Sequence, residues 1–176
     1  MSLASWLRPD LLVHAIEDID FDWLEARGVR GLLLDVDNTI VPWRSREIPP
    51  EKRRWIEEAK RRFPVCLLSN TIFMDRIRYL SGELGLDFVA RAVWGRKPFP
   101  GGFRAALARI GVPASEAAMI GDQVFADILG GKIVGCVTVL VDPVSRTNEF
   151  PATRLVRLVE RRLRERWWAE QEAKAE

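Results

Sequence analysis

Two carboxylates stand one residue apart in the stretch GLLLDVDNTI, at Asp35 and Asp37. In an extended chain, residues i and i+2 point the same way, so the pair is expected to face one crevice. Carboxylates that close repel, and one of them tends to stay protonated. A hard cation such as Mg2+ relieves the conflict, because it prefers oxygen ligands and keeps several waters. Taken singly, the pair equally describes a solvated turn, with Asn38 or Thr39 capping the next element.

Three further stretches offer complementary chemistry. VCLLSN places Ser69 and Asn70, small hydrogen-bonding groups, after an apolar run. WGRKPFPGGF places Lys97 ahead of Pro98, which biases its backbone toward an extended form, and Pro100 restricts the same loop. An ammonium held that way is a point charge suited to phosphate. AAMIGDQVFAD repeats the first arrangement: Gly121 permits a sharp exit, Asp122 follows the apolar run, and Asp127 comes about one helical turn later. A turn, a surface lysine or a helix cap explains each stretch in isolation. Their convergence is what points to a site.

The elements that must position these groups read as an α/β alternation. Strands are expected at Gly31–Val36, Val65–Leu68, Phe88–Ala90, Ala117–Ile120 and Cys136–Val141. They are continuous apolar runs, as strands covered on both faces should be. Helices are expected at Pro50–Phe63, Asp75–Leu84 and Gly101–Ile110, the last stopped by Gly111. A shorter one at Val124–Leu129 is expected to end at Gly130-Gly131. This alternation implies a parallel five-stranded sheet with right-handed crossovers, flanked by helices. Ligands of such sheets bind beyond the carboxyl ends of the strands, and every residue named above lies there.

Composition narrows the class. The chain has 176 residues, 48% of them hydrophobic, enough for one domain with a sizeable core. Charged residues make up 30% but leave a formal net charge of only +2, so no nucleic-acid partner is expected. Cys66 and Cys136 lie in apolar runs and read as reduced, buried thiols. No apolar stretch approaches the ~20 residues of a membrane span, and MSLASWLRPDLL lacks a secretory core. A cytoplasmic protein is expected.

With these residues in view, the sequence resembles the haloacid dehalogenase (HAD) superfamily of phosphotransferases. DVDNT is similar to its first motif, Ser69 to its second, Lys97 to its third and GDQVFAD to its fourth. The longer stretches DVDNTIVPW, GRKPFPGGF and IGDQVFADILGG resemble subfamily IIIA, the YqeG-like group related to mitochondrial phosphatidylglycerophosphatase. The resemblance implies a single Rossmann-like domain. It implies Asp35 as a nucleophile forming an aspartyl-phosphate, and Asp37 as general acid and then base. Asp35, Asp37, Asp122 and Asp127 are implied as the Mg2+ site, Asp37 through its main-chain carbonyl. Thr39, Ser69, Asn70 and Lys97 are implied as the groups that hold phosphoryl oxygens. Positioning and charge neutralisation are most of what phosphoryl transfer asks of a protein.

Many members of the superfamily carry an inserted cap domain. Here neither the interval from Asp37 to Pro50 nor that from Asn70 to Lys97 can hold one, since even small domains run ~50 residues. An open site suits a large phosphate monoester, a lipid phosphate such as phosphatidylglycerophosphate among them; a phosphoprotein or nucleic-acid end fits the openness as well. Trp43, Trp94 and Arg146 are candidates for contact with the rest of such a substrate or for packing beside the site. The organisation expected is an N-terminal helical extension at 1–30, a catalytic core at 31–142 and a C-terminal amphipathic helix at 151–176. The tail combines Leu155, Leu158, Val159 and Leu163 with arginines and Trp167-Trp168, a pattern that fits packing on the domain or peripheral contact with a membrane. His14, the sole histidine, reads as a surface or packing residue. A non-catalytic scaffold that binds a membrane, RNA or protein is the competing reading.

Overall fold

The computed structural model describes residues 6–90, 95–145 and 153–175. Its centre is a parallel sheet of six strands: β1 (Leu11–Val13), β2 (Gly31–Leu34), β3 (Val65–Ser69), β4 (Asp87–Ala90), β5 (Ala117–Gly121) and β6 (Val137–Val141). They lie in the order β1-β6-β5-β2-β3-β4. The helices are α1 (Phe21–Glu25), α2 (Pro50–Arg62), α3 (Met74–Leu84), α4 (Pro100–Ile110), α5 (Leu129–Val134) and α6 (Thr153–Ala175).

The strands are apolar throughout because alternate residues feed opposite cores. Leu32 and Leu34 join Ile56, Ala59, Ile77 and Leu80 from α2 and α3 on one face. Leu33, Cys66, Leu68 and Met119 join Phe103, Ala106 and Leu107 from α4 on the other. A smaller cluster forms where Leu12 of β1 and Leu140 of β6 meet Val124, Ile128 and Trp167 of α6.

Two expectations about elements need correction. The sheet has a sixth strand, β1, in a segment read as helical. Three residues, Leu11–Val13, pair with Val139–Val141 of β6 at the sheet edge. A three-residue strand is too short for a periodic signal. The stretch to Gly130-Gly131 does not end there either. A π-turn at Val124–Ile128 runs into α5, which continues to a left-handed Gly135 with φ 90. The two glycines are there for close approach. A Cβ on Gly130 would come within 2.4 Å of Phe103, and one on Gly131 within 2.9 Å of Thr138. Gly111 does close α4, with φ 67.

β2 is central, flanked by β3 on one side and β5 on the other. The chain leaves β4 and crosses to the far side of β2 to make β5. That reversal opens a crevice at the carboxyl ends of β2 and β5, where such folds take their ligands. The chain from Asn38 to Pro49 is a loop, and that from Thr71 to Ala90 is α3 and β4, with no inserted domain in either.

Candidate active site

Asp35 follows the last paired residue of β2, and its N–H still bonds to the Ile120 carbonyl of β5 at 2.9 Å. The strand then breaks into a tight turn. Asn38 takes a left-handed φ of 62, a conformation its short polar side chain tolerates, and the Ile40 N–H returns to the Val36 carbonyl at 3.0 Å. The turn brings the Thr39 hydroxyl back to donate to Asp35 Oδ2 at 3.2 Å and, more weakly, to Asp122 Oδ1 at 3.5 Å.

Asp35, Asp122 and Asp127 form one buried group, with carboxylate oxygens within 4.8 Å of one another. Asp127 reaches it because Gly121 has no side chain: a Cβ there would lie 2.3 Å from the Asp127 carboxylate. The N–H of Gln123 donates to Asp127 Oδ2 at 3.0 Å. Lys97 enters from the loop before α4, fully buried. Its ammonium contacts Asp35, lies 2.6 Å from Asp127 Oδ1 and donates to the Leu68 carbonyl at 2.9 Å.

The electrostatics follow from the crowding. Burial opposes the charge on Lys97, but Asp127 and Asp35 outweigh it and hold the ammonium above its usual range. Burial pushes the Asp127 carboxyl up to about 7; Lys97 opposes this, while Asp35 and Asp122 add to it. Asp127 Oδ1 is buried with no well-aligned hydrogen bond. Clustered carboxylate oxygens and their mutual repulsion fit a hard divalent cation.

Asp37 is not among these three clustered carboxylates, though it lies near enough for the Asp35 charge to act on it. β2 ends at Leu34, so the i, i+2 rule no longer holds past Asp35, and the Asp37 carboxylate turns to the buried Arg76 of α3 at 2.9 Å. Burial raises the Asp37 pKa above the usual carboxylate value, Asp35 adds to the rise, and Arg76 opposes it. Arg76 is itself fixed by its Nε bond to the Ser45 carbonyl at 2.7 Å.

Ser69 ends β3, buried, and its Oγ accepts from the Thr71 N–H at 3.2 Å. Asn70, expected at the phosphate, grips the lysine loop instead. Its Oδ1 accepts from the Lys97 N–H at 2.7 Å and its Nδ2 donates to the Lys97 carbonyl at 3.0 Å. The Trp43 ring packs under Arg44, and the Trp43 main-chain N–H donates to Asn38 Oδ1 at 3.3 Å. Trp94 and Arg146 lie outside the described residues.

Sequence reasoning missed three contributors. Arg76 carried no signal beyond its place on a helix. Arg164 and Glu160 of α6 read only as part of a charged tail, yet both are buried. The Arg164 guanidinium donates to the Asp122 carbonyl, to the Val141 carbonyl at 2.9 Å and to Asp142 Oδ1 at 3.1 Å. Glu160 accepts from the Phe125 N–H at 3.0 Å. The last helix therefore grips the loop that carries Asp122 and Asp127. Around it, Trp167 is buried, Trp168 stacks on His14 with centroids 4.3 Å apart, and His14 meets Asp142 at 2.8 Å.

Comparison with known proteins places this arrangement. Residues 1–78 match the family of mitochondrial PGP phosphatases, and residues 94–150 match HAD-hydrolase-like proteins. The Bacillus subtilis "Probable phosphatase YqeG" is 35% identical over 162 residues, 92% of this chain and 91% of that protein. This chain belongs to the YqeG-like phosphatases of the HAD superfamily. As a member it is a phosphatase, acting on phosphomonoesters. The Arabidopsis thaliana phosphatidylglycerophosphate phosphatase 1 is 32% identical over 168 residues, 90% of this chain but 47% of that longer protein. A crystal structure of a Listeria monocytogenes protein superposes with a TM-score of 0.54 at 18% identity, over 70% of this chain and 85% of that one, a likeness of fold.

Proposed function

We propose that this phosphatase hydrolyses a lipid phosphate, phosphatidylglycerophosphate being the substrate that two of its relatives are named for. Two curated plant and algal relatives carry that activity in their names, at 32% and 28% identity. The observation that carries the reading is the meeting of Asp35, Lys97, Asp122 and Asp127 at one uncapped sheet edge.

In this reading Asp35 attacks phosphorus and forms an aspartyl-phosphate, dividing one hard displacement into two easier ones. Asp37 protonates the leaving alkoxide and later takes a proton from the attacking water. Its raised pKa, and the Arg76 partner that fixes its carboxylate, suit a group that carries a proton part of the time. Lys97, Thr39 and Ser69 hold phosphoryl oxygens, and Asn70 acts through Lys97 by holding its main chain. Mg2+ would be held by Asp35, Asp122 and Asp127 with the Asp37 main-chain carbonyl, and would supply charge neutralisation for the phosphoryl group.

A location in the cytoplasm, at a membrane's inner face, agrees with two buried, unbridged cysteines. No helix among the described residues is long and apolar enough to cross a membrane.

Phosphate release, measured with Mg2+ and with chelator on phosphatidylglycerophosphate, nucleotides and sugar phosphates, tests the reading. Phosphatidylglycerophosphate should turn over fastest, and only with the metal. Asp35→Asn should lower kcat by on the order of 10⁴-fold while the protein stays folded. Undiminished turnover by that variant ends the proposed chemistry; strong preference for a small soluble phosphate ends the lipid assignment alone.

A further inference from the structure

The loops that deliver Asn70 and Lys97 also carry exposed apolar side chains. Two residues past Asn70, Ile72 is 68% exposed, and Phe73 and Met74 are each 38% exposed. Two residues past Lys97, Phe99 is 62% exposed. The Asn70 amide ties the two loops together, so these side chains share the carboxyl edge of the sheet with the site. Each sits at the start of a helix, Phe73 before α3 and Phe99 before α4, where a side chain that merely packed would turn inward. Scattered exposed apolar residues are ordinary; a group of four at the mouth of a site is not.

The charge around them has one dominant sign. Arg44 extends from the loop after β2 and lies over the Phe73 ring, 5.1 Å from its centroid. Arg96 is exposed on the turn whose carbonyl accepts from the Phe99 N–H at 2.8 Å. The exposed acid beside Met74, Asp75, pairs with Arg78 at 3.3 Å. Aromatic and aliphatic side chains ringed by arginine suit the boundary between anionic headgroups and acyl chains. Of the terminal candidates for membrane contact, Trp167 is buried and Trp168 stacks on His14, while Trp6, Leu158 and Val159 stay exposed.

We propose that Ile72, Phe73, Met74 and Phe99, with Arg44 and Arg96, form a docking rim that seats the open site on a bilayer of anionic lipid. The substrate phosphate then reaches Lys97 and Asp35 without leaving its membrane. This deepens, and for its catalytic consequence rests on, the lipid-phosphate reading above.

Co-sedimentation with vesicles of phosphatidylcholine alone, and of phosphatidylcholine with phosphatidylglycerol, tests the rim at low and high salt. Binding should require the anionic lipid and weaken with salt. The double variant Ile72→Ser/Phe99→Ser should lose about tenfold or more in vesicle affinity, and Arg44→Gln/Arg96→Gln should flatten the salt dependence. Turnover of soluble p-nitrophenyl phosphate by Ile72→Ser/Phe99→Ser should match the parent, while turnover of vesicle-borne phosphatidylglycerophosphate falls with binding. The rim is overturned if the parent ignores anionic vesicles, if it binds neutral ones equally, or if the serine variant binds as the parent does. Hydrolysis of a phosphopeptide without vesicle binding also overturns it and points to a protein partner. Anionic-vesicle binding that the serine variant loses, in a protein that hydrolyses no lipid phosphate, upholds the rim and ends the substrate assignment instead.

Discussion

Two groups of buried charge lie on either side of the Asp122 loop, and they are built on opposite plans. On the crevice side, Asp35, Asp122 and Asp127 crowd like charges together, with Lys97 threaded between two of them. On the far side, Arg164 meets Asp142 and two main-chain carbonyls, and Glu160 takes the Phe125 N–H. The second plan matches donors to acceptors and so fixes a helix. The first leaves repulsion in place, visible in the raised Asp127 carboxyl, and so prepares for a ligand. Burial alone does not mark a functional charge; the sign of its neighbours does.

Breaking the matched group should have the larger effect on stability. Arg164→Met leaves buried carbonyls at the ends of β5 and β6 short of a donor and should lower unfolding free energy by about 3–5 kcal/mol, read from urea denaturation. It should also weaken Mg2+ protection, because the Asp122 carbonyl loses its anchor. The crowded group should respond to metal in the other direction. Saturating Mg2+ at about a hundred times its Kd should stabilise the folded protein by about 2.7 kcal/mol, seen as a rise in Tm that chelator reverses and that Asp127→Asn lacks.

Gly121→Ala probes the space the crowded group occupies. Its new Cβ would meet the Asp127 carboxylate, costing about 1–3 kcal/mol and lowering Mg2+ affinity, both measurable by thermal shift across a metal titration. A last test sharpens the contrast through pH. With Asp127 held at about 7 against an ordinary 3.8, the metal-free folded state retains a proton that the unfolded chain gives up. The Asp127 contribution to stability in chelator should therefore be fullest below about pH 4 and decline as pH rises to about 7. Asp127→Asn should remove that decline, as read from denaturation midpoints.

The sheet and its helices were legible because burial on both faces writes itself as unbroken apolar runs, such as Leu32–Leu34 and Met119-Ile120. β1 was not, because three residues at an edge carry no period. The crevice residues were legible as a set, since each comes just after a strand or on a loop at the same sheet edge. What each side chain touches was less so. Asp37 turned to Arg76 and Asn70 to the Lys97 main chain because local turns, rather than strand alternation, aim side chains past a strand end. Gly130-Gly131 looked like a stop, while the partners that demand them, Phe103 and Thr138, lie on other elements. Arg164 was invisible for the same reason: its partners stand up to 42 residues earlier in the chain.

That span of sequence gives the last helix a role in time as well as in space. Synthesis runs from the N-terminus, so a growing chain displays Asp35, Lys97, Asp122 and Asp127 well before the guanidinium that braces their loop has left the ribosome. The crevice reaches its braced form only once α6 has emerged, and a polypeptide cut short after β6 would hold every acidic group yet lack the brace.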